Sequence, residues 1–246
     1  MWLVFLFLVA VQTIRGDYLW HNYYQATIVN DTAHLCHAAI INDYNIIAPT
    51  SCLMKHKKSQ LRLRSATTKN DFRFDDIVGV CLNSNYEEQS NGKRINDIAV
   101  ARISQPISGP HMHIPMFAKG QSVEPEAIGE IGNIGSSLTD VDPQSSFVIV
   151  TDKNTCKEAY AEKGGISPGQ FCADSPNTEH CNDDDGTALI LNGELAGIKS
   201  HWTNSHESVV KGTGVYTEIA YYRDFIDKCQ QTFQDKNERG YFDGPL

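Results

Sequence analysis

Apolar residues along this chain fall mostly in short runs broken by Asn, Asp, Gly and Pro, the pattern of many short strands joined by turns. Tyr24 to Val29 reads as a strand ending at the turn Asn30-Asp31. His34 to Ile41 is a second strand, Asn42-Asp43 the next turn, and Tyr44 to Ala48 the return. Leu61-Arg62-Leu63-Arg64 alternates with the period of a half-exposed strand. Ile77 to Cys81 and Ile98 to Ile103 complete the first set. Ser104 to Pro125 is loop-like, with Pro106, Gly109, Pro110 and Pro115, and marks the expected boundary between two lobes. In the second half, Ser146 to Val150, Gln170 to Ala173, Ala188 to Leu191, Glu194 to Ser200 and Gly214 to Glu218 read as strands. Asn192-Gly193 between two apolar runs predicts a two-residue hairpin, because both residues tolerate positive φ. Lys153 to Glu162 is a predicted short helix, capped by Thr151 or Asp152. Tyr222, Phe225, Ile226 and Cys229 share one face of a predicted terminal helix over 221–231, and the polar tail 232–246 is expected to fray. Strands do not alternate with helices and no long repeat occurs, so the pattern predicts an all-β chain, as a pair of barrels or sandwiches.

The 246 residues, 41% hydrophobic, suit one unit with a sizeable core. A net charge of -9 argues against nucleic acid or an anionic membrane surface as partner. The apolar run Trp2 to Val11 is too short to span a bilayer and reads as the core of a signal peptide over 1–16. Secretion makes disulfides the default state of the seven cysteines, and the odd count leaves at least one without an internal partner. Asn30-Asp31-Thr32 is a glycosylation sequon in a predicted turn.

Several segments then resemble one family in their wording and order. Cys36-His37-Ala38-Ala39-Ile40-Ile41 resembles C-G-G-x-[IL]-[IL], and Ile46-Ile47-Ala48-Pro49-Thr50-Ser51-Cys52-Leu53 resembles W-[IV]-[LV]-T-A-A-H-C. Asn96-Asp97-Ile98-Ala99-Val100 matches N-D-I-A-L, Gly197-Ile198-Lys199-Ser200 resembles G-[IV]-V-S, and Gly214-Val215-Tyr216-Thr217 matches G-V-Y-T. The stretch Glu179 to Ala188 stands where the family reads D-S-C-Q-G-D-S-G-G-P. These segments resemble the trypsin-like, chymotrypsin-fold serine proteases from about Tyr23 to Gln231. The resemblance implies two antiparallel Greek-key β-barrels with a C-terminal helix, the first over about 17–110 and the second over about 118–220. It also implies the disulfides Cys36–Cys52 and Cys156–Cys172, and leaves Cys81, Cys181 and Cys229 open.

A serine nucleophile needs a base to take its proton, an acid to hold that base, and donors for the oxyanion. In the positions that the resemblance assigns, Ser51 replaces the base, Asp97 keeps the acid, and Asp185 replaces the nucleophile. Asp183 stands at an oxyanion-hole glycine. Losing one such member costs about 10⁶ in kcat, or ~8 kcal/mol. The activating Ile-Val-Gly-Gly terminus is missing, so Asp184 lacks its partner. Glu179, His201 and Trp202 alter the specificity pocket, with Trp202 in place of a glycine that keeps it open. No peptidase activity is expected; the alternative is a secreted hydrolase with residual or altered peptidase activity.

Other candidate chemistry is weak. Asp183-Asp184-Asp185-Gly186 lacks the alternating spacing that wraps calcium. His111-Met112-His113 has no further zinc ligands. Lys55-His56-Lys57-Lys58 with Arg62 and Arg64 reads as a solvated loop. Asp97 and Asp185 suggest no sugar cleft around a carboxylate pair. No metal or cofactor is expected. Ser51 for the base, the lost nucleophile and the missing activation motif make the chain most similar to the scabies mite inactivated serine protease paralogues, relatives of the group 3 mite allergens. That similarity implies a secreted protein that binds host proteins, complement components among them, and inhibits complement activation; separately, a monomer is expected.

Overall fold

The computed structural model describes residues 24–31, 33–68, 71–107, 113–134, 143–174, 185–200 and 213–239. The first barrel is built from β1 (Gln25–Val29), β2 (His34–Ile40), β3 (Asn45–Ala48), β4 (Arg62–Thr68), β5 (Asp71–Leu82) and β8 (Ala99–Ile103). They close in the order β1-β2-β3-β8-β5-β4, all pairs antiparallel. Two short paired strands, β6 (Glu87–Glu88) and β7 (Arg94–Ile95), lie outside that barrel. The second barrel joins β9 (Ile128–Ile134), β10 (Pro143–Val150), β11 (Gln170–Asp174), β12 (Ala188–Leu191), β13 (Glu194–Ser200) and β14 (Thr213–Glu218). Its order is β10-β11-β14-β13-β12-β9.

Each barrel fills its interior with the inward-facing half of its strands. Ala26, Ile28, Ile46, Leu63 and Ile103 form the first core, and Ile131, Val148, Val150, Phe171, Leu189 and Tyr216 the second. A third cluster lies between the barrels, where Ile47, Val100, Ile190 and Ile198 meet Tyr222, Ile226 and Phe233 of the terminal helix. In the β12–β13 hairpin, Asn192 (φ 52°) and Gly193 (φ 80°) adopt the positive-φ turn that their identities predict.

Among the described residues the α-helices are α1 (Thr50–Leu53), α2 (Lys153–Ala159) and α3 (Arg223–Arg239), with 3-10 turns at Lys58–Gln60 and Ala161–Lys163. Asp152 caps α2, its side chain accepting from the backbone N–H groups of Asn154 (2.9 Å) and Thr155 (3.2 Å). Disulfides join Cys36–Cys52, Cys81–Cys229 and Cys156–Cys172. The first and last are the pairs implied by the family resemblance, and the second fixes α3 to β5.

The structure departs from the sequence expectations in several places, among them helix α2, which ends at Ala159 rather than Glu162, and the unexpected β6–β7 pair. Helix α3 does not end at residue 231 but continues to Arg239, because Phe233 is buried in the inter-barrel cluster and carries the helix past the disulfide at Cys229. Strand β9 is an additional element. Arg64, expected on a half-exposed strand, is 1% exposed and lies 3.5 Å from the Phe72 ring centroid, so aromatic cover takes the place of solvent.

Candidate functional site

Ser51, Asp97 and Asp185 come together at the seam between the barrels. Extended Pro49 (φ -64°, ψ 138°) starts helix α1 and places buried Ser51 in its first turn. Asp97 follows Asn96, whose φ of 55° lies in the left-handed region that Asn tolerates. The Asn96 side chain is held at both ends, donating to the Asn85 carbonyl (2.7 Å) and accepting from the Tyr222 hydroxyl (2.8 Å). Asp185 precedes β12, and its carbonyl accepts from the His37 N–H at 2.7 Å. The next residue must be glycine: Gly186 has φ 85°, and a Cβ there would lie 2.0 Å from the His37 carbonyl oxygen.

Asp97 is 0% exposed and accepts three hydrogen bonds. Its Oδ1 takes the Ser51 N–H (2.8 Å), and its Oδ2 takes the hydroxyls of Ser51 (2.9 Å) and Ser200 (2.8 Å). The hydroxyl at the base position is therefore a donor to the acid. Burial raises the Asp97 pKa, and the hydrogen bonds and the nearby guanidinium of Arg94 only partly counter it.

Arg94 fills the space between the two carboxylates. Its Nη1 donates to Asp185 Oδ2 at 2.9 Å and lies 3.9 Å from Asp97 Oδ2. Its Nε lies 3.4 Å from Glu88 Oε1. The Arg94 side chain is only 10% exposed. Burial alone would lower its pKa, but Asp185, Asp97 and Glu88 outweigh burial and hold the guanidinium above its ordinary value. Glu88 is pulled below its ordinary value in return: burial, which would raise it, is outweighed by Arg94 and Lys55. The second barrel fixes the arginine's backbone, since Gln170 Nε2 donates to the Arg94 carbonyl at 2.8 Å.

Neither Ser51 nor Arg94 can accept a proton near neutral pH: a serine hydroxyl is barely basic and a guanidinium stays charged. What stands between the barrels is an ion-pair network with a carboxylate at the nucleophile position. Sequence alone does not reveal Arg94 or Ser200. The remaining predicted positions, Glu179, Asp183, His201 and Trp202, lie outside the described residues, as do Cys181, Asp184, His111 and the segment 1–23. His113 faces Asp43, with Nε2 3.0 Å from its Oδ1, and the Ile107 carbonyl at 3.2 Å. Asn30 sits in a turn, its Oδ1 accepting from the Ala33 N–H at 2.8 Å.

Two closed six-stranded antiparallel barrels with a Ser-Asp-Asp constellation at their seam define a protein of trypsin-like fold. The family described as Trypsin matches residues 17–226, and the chain belongs to that family. It is similar to mouse transmembrane protease serine 11C, 26% identical over 236 residues covering 86% of this chain, which spans about half (51%) of that relative. It is also similar to the mite trypsin Tyr p 3.0101 of Tyrophagus putrescentiae, 25% identical over 216 residues covering 80% of this chain and 72% of the relative. Among solved structures, the scabies mite inactivated protease paralogue S-I1 shares the fold with a TM-score of 0.74 and 17% identity, covering 87% of this chain and 96% of that one.

Proposed function

We propose that this chain is a secreted, catalytically inactive member of the trypsin family that acts by binding host proteins, and that its target is a complement component. The observation that carries the loss of catalysis is Arg94, paired with Asp185 at 2.9 Å beside Asp97. A hydrolase needs a proton acceptor next to its nucleophile. At this seam a donor hydroxyl stands at the base position and the two carboxylates are engaged by Ser51, Ser200 and Arg94, so the family's serine nucleophile and the base beside it are both missing. The barrel cores and three disulfides are nonetheless complete. A rigid frame that presents loops without chemistry suits a binding protein.

The complement target rests on the resemblance to the scabies mite inactivated paralogues, and the likeness to S-I1, itself called an inactivated protease, is in keeping with it. The test adds graded purified protein to human serum and measures complement deposition and lysis. Dose-dependent inhibition is expected, and no effect at micromolar protein would sink the complement target. A peptide library incubated with the same preparation is expected to show no cleavage above the uncatalysed rate. Saturable cleavage would restore the hydrolase alternative.

A further inference from the structure

The outward face of β9 and β10 carries three large apolar side chains side by side. Ile128 is 68% exposed, Phe147 52% and Ile149 48%. Ile128 and Ile149 are direct cross-strand partners, and Phe147 lies two residues before Ile149 on the same face. The other face of these strands is barrel core, where Ile131, Val148 and Val150 are buried. Phe147-Val148-Ile149-Val150 is thus apolar on both faces, the pattern of a strand covered on both sides, although the barrel covers one. The other large exposed apolar residues, Met54, Phe74 and Tyr221, come from separate parts of the chain. A single exposed apolar residue needs no explanation, whereas a contiguous group marks an interaction site.

The charge around this face is one-sided. In the described segment 120–134 the exposed charged residues are Glu124 and Glu126, and no Lys, Arg or His occurs there. The Glu126 N–H donates to the Val150 carbonyl at 2.9 Å, which sets the exposed Glu124-Pro125-Glu126 turn beside the end of β10. Glu130 stands opposite Phe147 in the ladder, but its Oε1 is buried, so the exposed rim charges are Glu124 and Glu126. Two copies meeting through this face would bring the same carboxylates together in a chain of net charge -9, and such like-charge contact is costly. The complementary occupant is a different protein that brings cations around an apolar contact.

We propose that the β9–β10 face is a docking surface for a partner protein segment whose apolar side chains are flanked by Lys and Arg. The proposal rests on the binding function above and gives it a location away from the Arg94 seam. Two variants test it. One is Ile128→Thr/Phe147→Ser/Ile149→Thr, which removes the apolar face. The other is Glu124→Lys/Glu126→Lys, which reverses the rim and leaves the apolar face intact. All five positions are solvent-facing, and circular dichroism checks the fold of each variant.

The probe is an amphipathic Lys/Leu peptide of about four helical turns, with a Glu/Leu peptide of the same length as control, followed by fluorescence anisotropy. The wild-type chain is expected to bind the Lys/Leu peptide in a salt-sensitive way, each variant to weaken that binding about tenfold or more, and the Glu/Leu peptide not to bind. Undiminished Lys/Leu binding in both variants would overturn the proposal, since the peptide would then be held by net charge elsewhere. A wild-type dimer in sedimentation that the apolar-face variant abolishes would also overturn it, in favour of contact between copies. The serum assay separates the two readings. If the wild-type chain inhibits complement and the apolar-face variant inhibits equally, docking lies elsewhere and the complement target stands. If the wild-type chain has no effect in serum while both variants lose the peptide, the surface stands and the complement target falls.

Discussion

Arg94 holds together a site that would otherwise set Asp97 and Asp185 against each other. Removing one partner of a buried pair leaves an uncompensated charge, so Arg94→Leu is expected to cost about 2–4 kcal/mol, read from the urea midpoint. In that background Asp185→Ser should return at least ~1 kcal/mol, because it removes the orphaned carboxylate; strictly additive changes would show that the pair is not coupled. A second residue governs the acid limb of stability. His37 is fully buried beside His34 and Lys199, and burial first, then those neighbours, lower its pKa to about 3. Between about 6.5 and 3 the unfolded chain binds a proton that the native chain refuses, so stability falls as pH drops through that window, by at most ~1.4 kcal/mol per unit. Asp97 acts in the opposite direction, since its raised pKa favours the native state as pH falls. His37→Gln should therefore flatten the stability profile between pH 6.5 and 4, measured by chemical denaturation at each pH; an unchanged slope would assign the acid limb to other groups. Ser51, Asp97 and Asp185 were legible in the sequence because each lies within a recognisable frame of neighbours. Arg94 was not, since no local pattern says where a long side chain on a two-residue strand will point.

At the scale of elements, strands with one apolar face and a turn at each end were legible, and the exceptions have packing reasons. The sequence of β9, Ile128-Gly129-Glu130-Ile131-Gly132, shows no strand pattern, since its glycines weaken the alternation. In the barrel, a Cβ on Gly129 would lie 2.9 Å from Leu191 Cδ2 and 3.1 Å from Leu189 Cδ2, so the missing side chain lets β12 come close. Helix α3 outruns its apolar pattern for a similar reason. Between residue 231 and the end of α3 at Arg239 the sequence offers one large apolar residue, Phe233, too little for a helical period. That residue inserts against Gly79, where an added Cβ would stand 2.9 Å from the ring. Phe233→Ala is expected to lower stability by about 3 kcal/mol, through lost burial and the cavity left behind. A cost under ~1 kcal/mol in a denaturation curve would mean that the end of α3 is not anchored. The Cys81–Cys229 pair closes a loop of 148 residues, which the odd cysteine count could not assign. Replacing both cysteines by Ala should cost about 4–5 kcal/mol by chain entropy.

For the whole molecule, the decisive feature is that the seam is shared. Arg94, Asp97 and Ser51 come from the first barrel and its linking segments, while Asp185 and Ser200 come from the second. Ties between the barrels converge on the same place: Lys93 Nζ donates to the Gly164 carbonyl at 2.8 Å, and Thr217 Oγ1 to the Asp97 carbonyl at 3.2 Å. Ser51, Asp97 and Asp185 take part in a contact between halves, and replacing two of them would not undo that. Consider Ser51→His with Asp185→Ser. The new imidazole would need Asp97 as its orienting acid, at the Oδ2 site that the Ser51 hydroxyl now holds at 2.9 Å. Arg94, its nearest counter-ion removed, would turn to Asp97 from only 3.9 Å. A base that is wrongly oriented loses about 10⁴ in rate even when the nucleophile is present. The double variant is therefore expected to show no labelling by a fluorophosphonate above that of the wild-type chain. Adding Arg94→Leu should speed labelling about tenfold or more relative to the double variant, because the acid is freed for the imidazole. Labelling of the double variant at the rate of an active trypsin would show that Arg94 is no obstacle to catalysis at this seam.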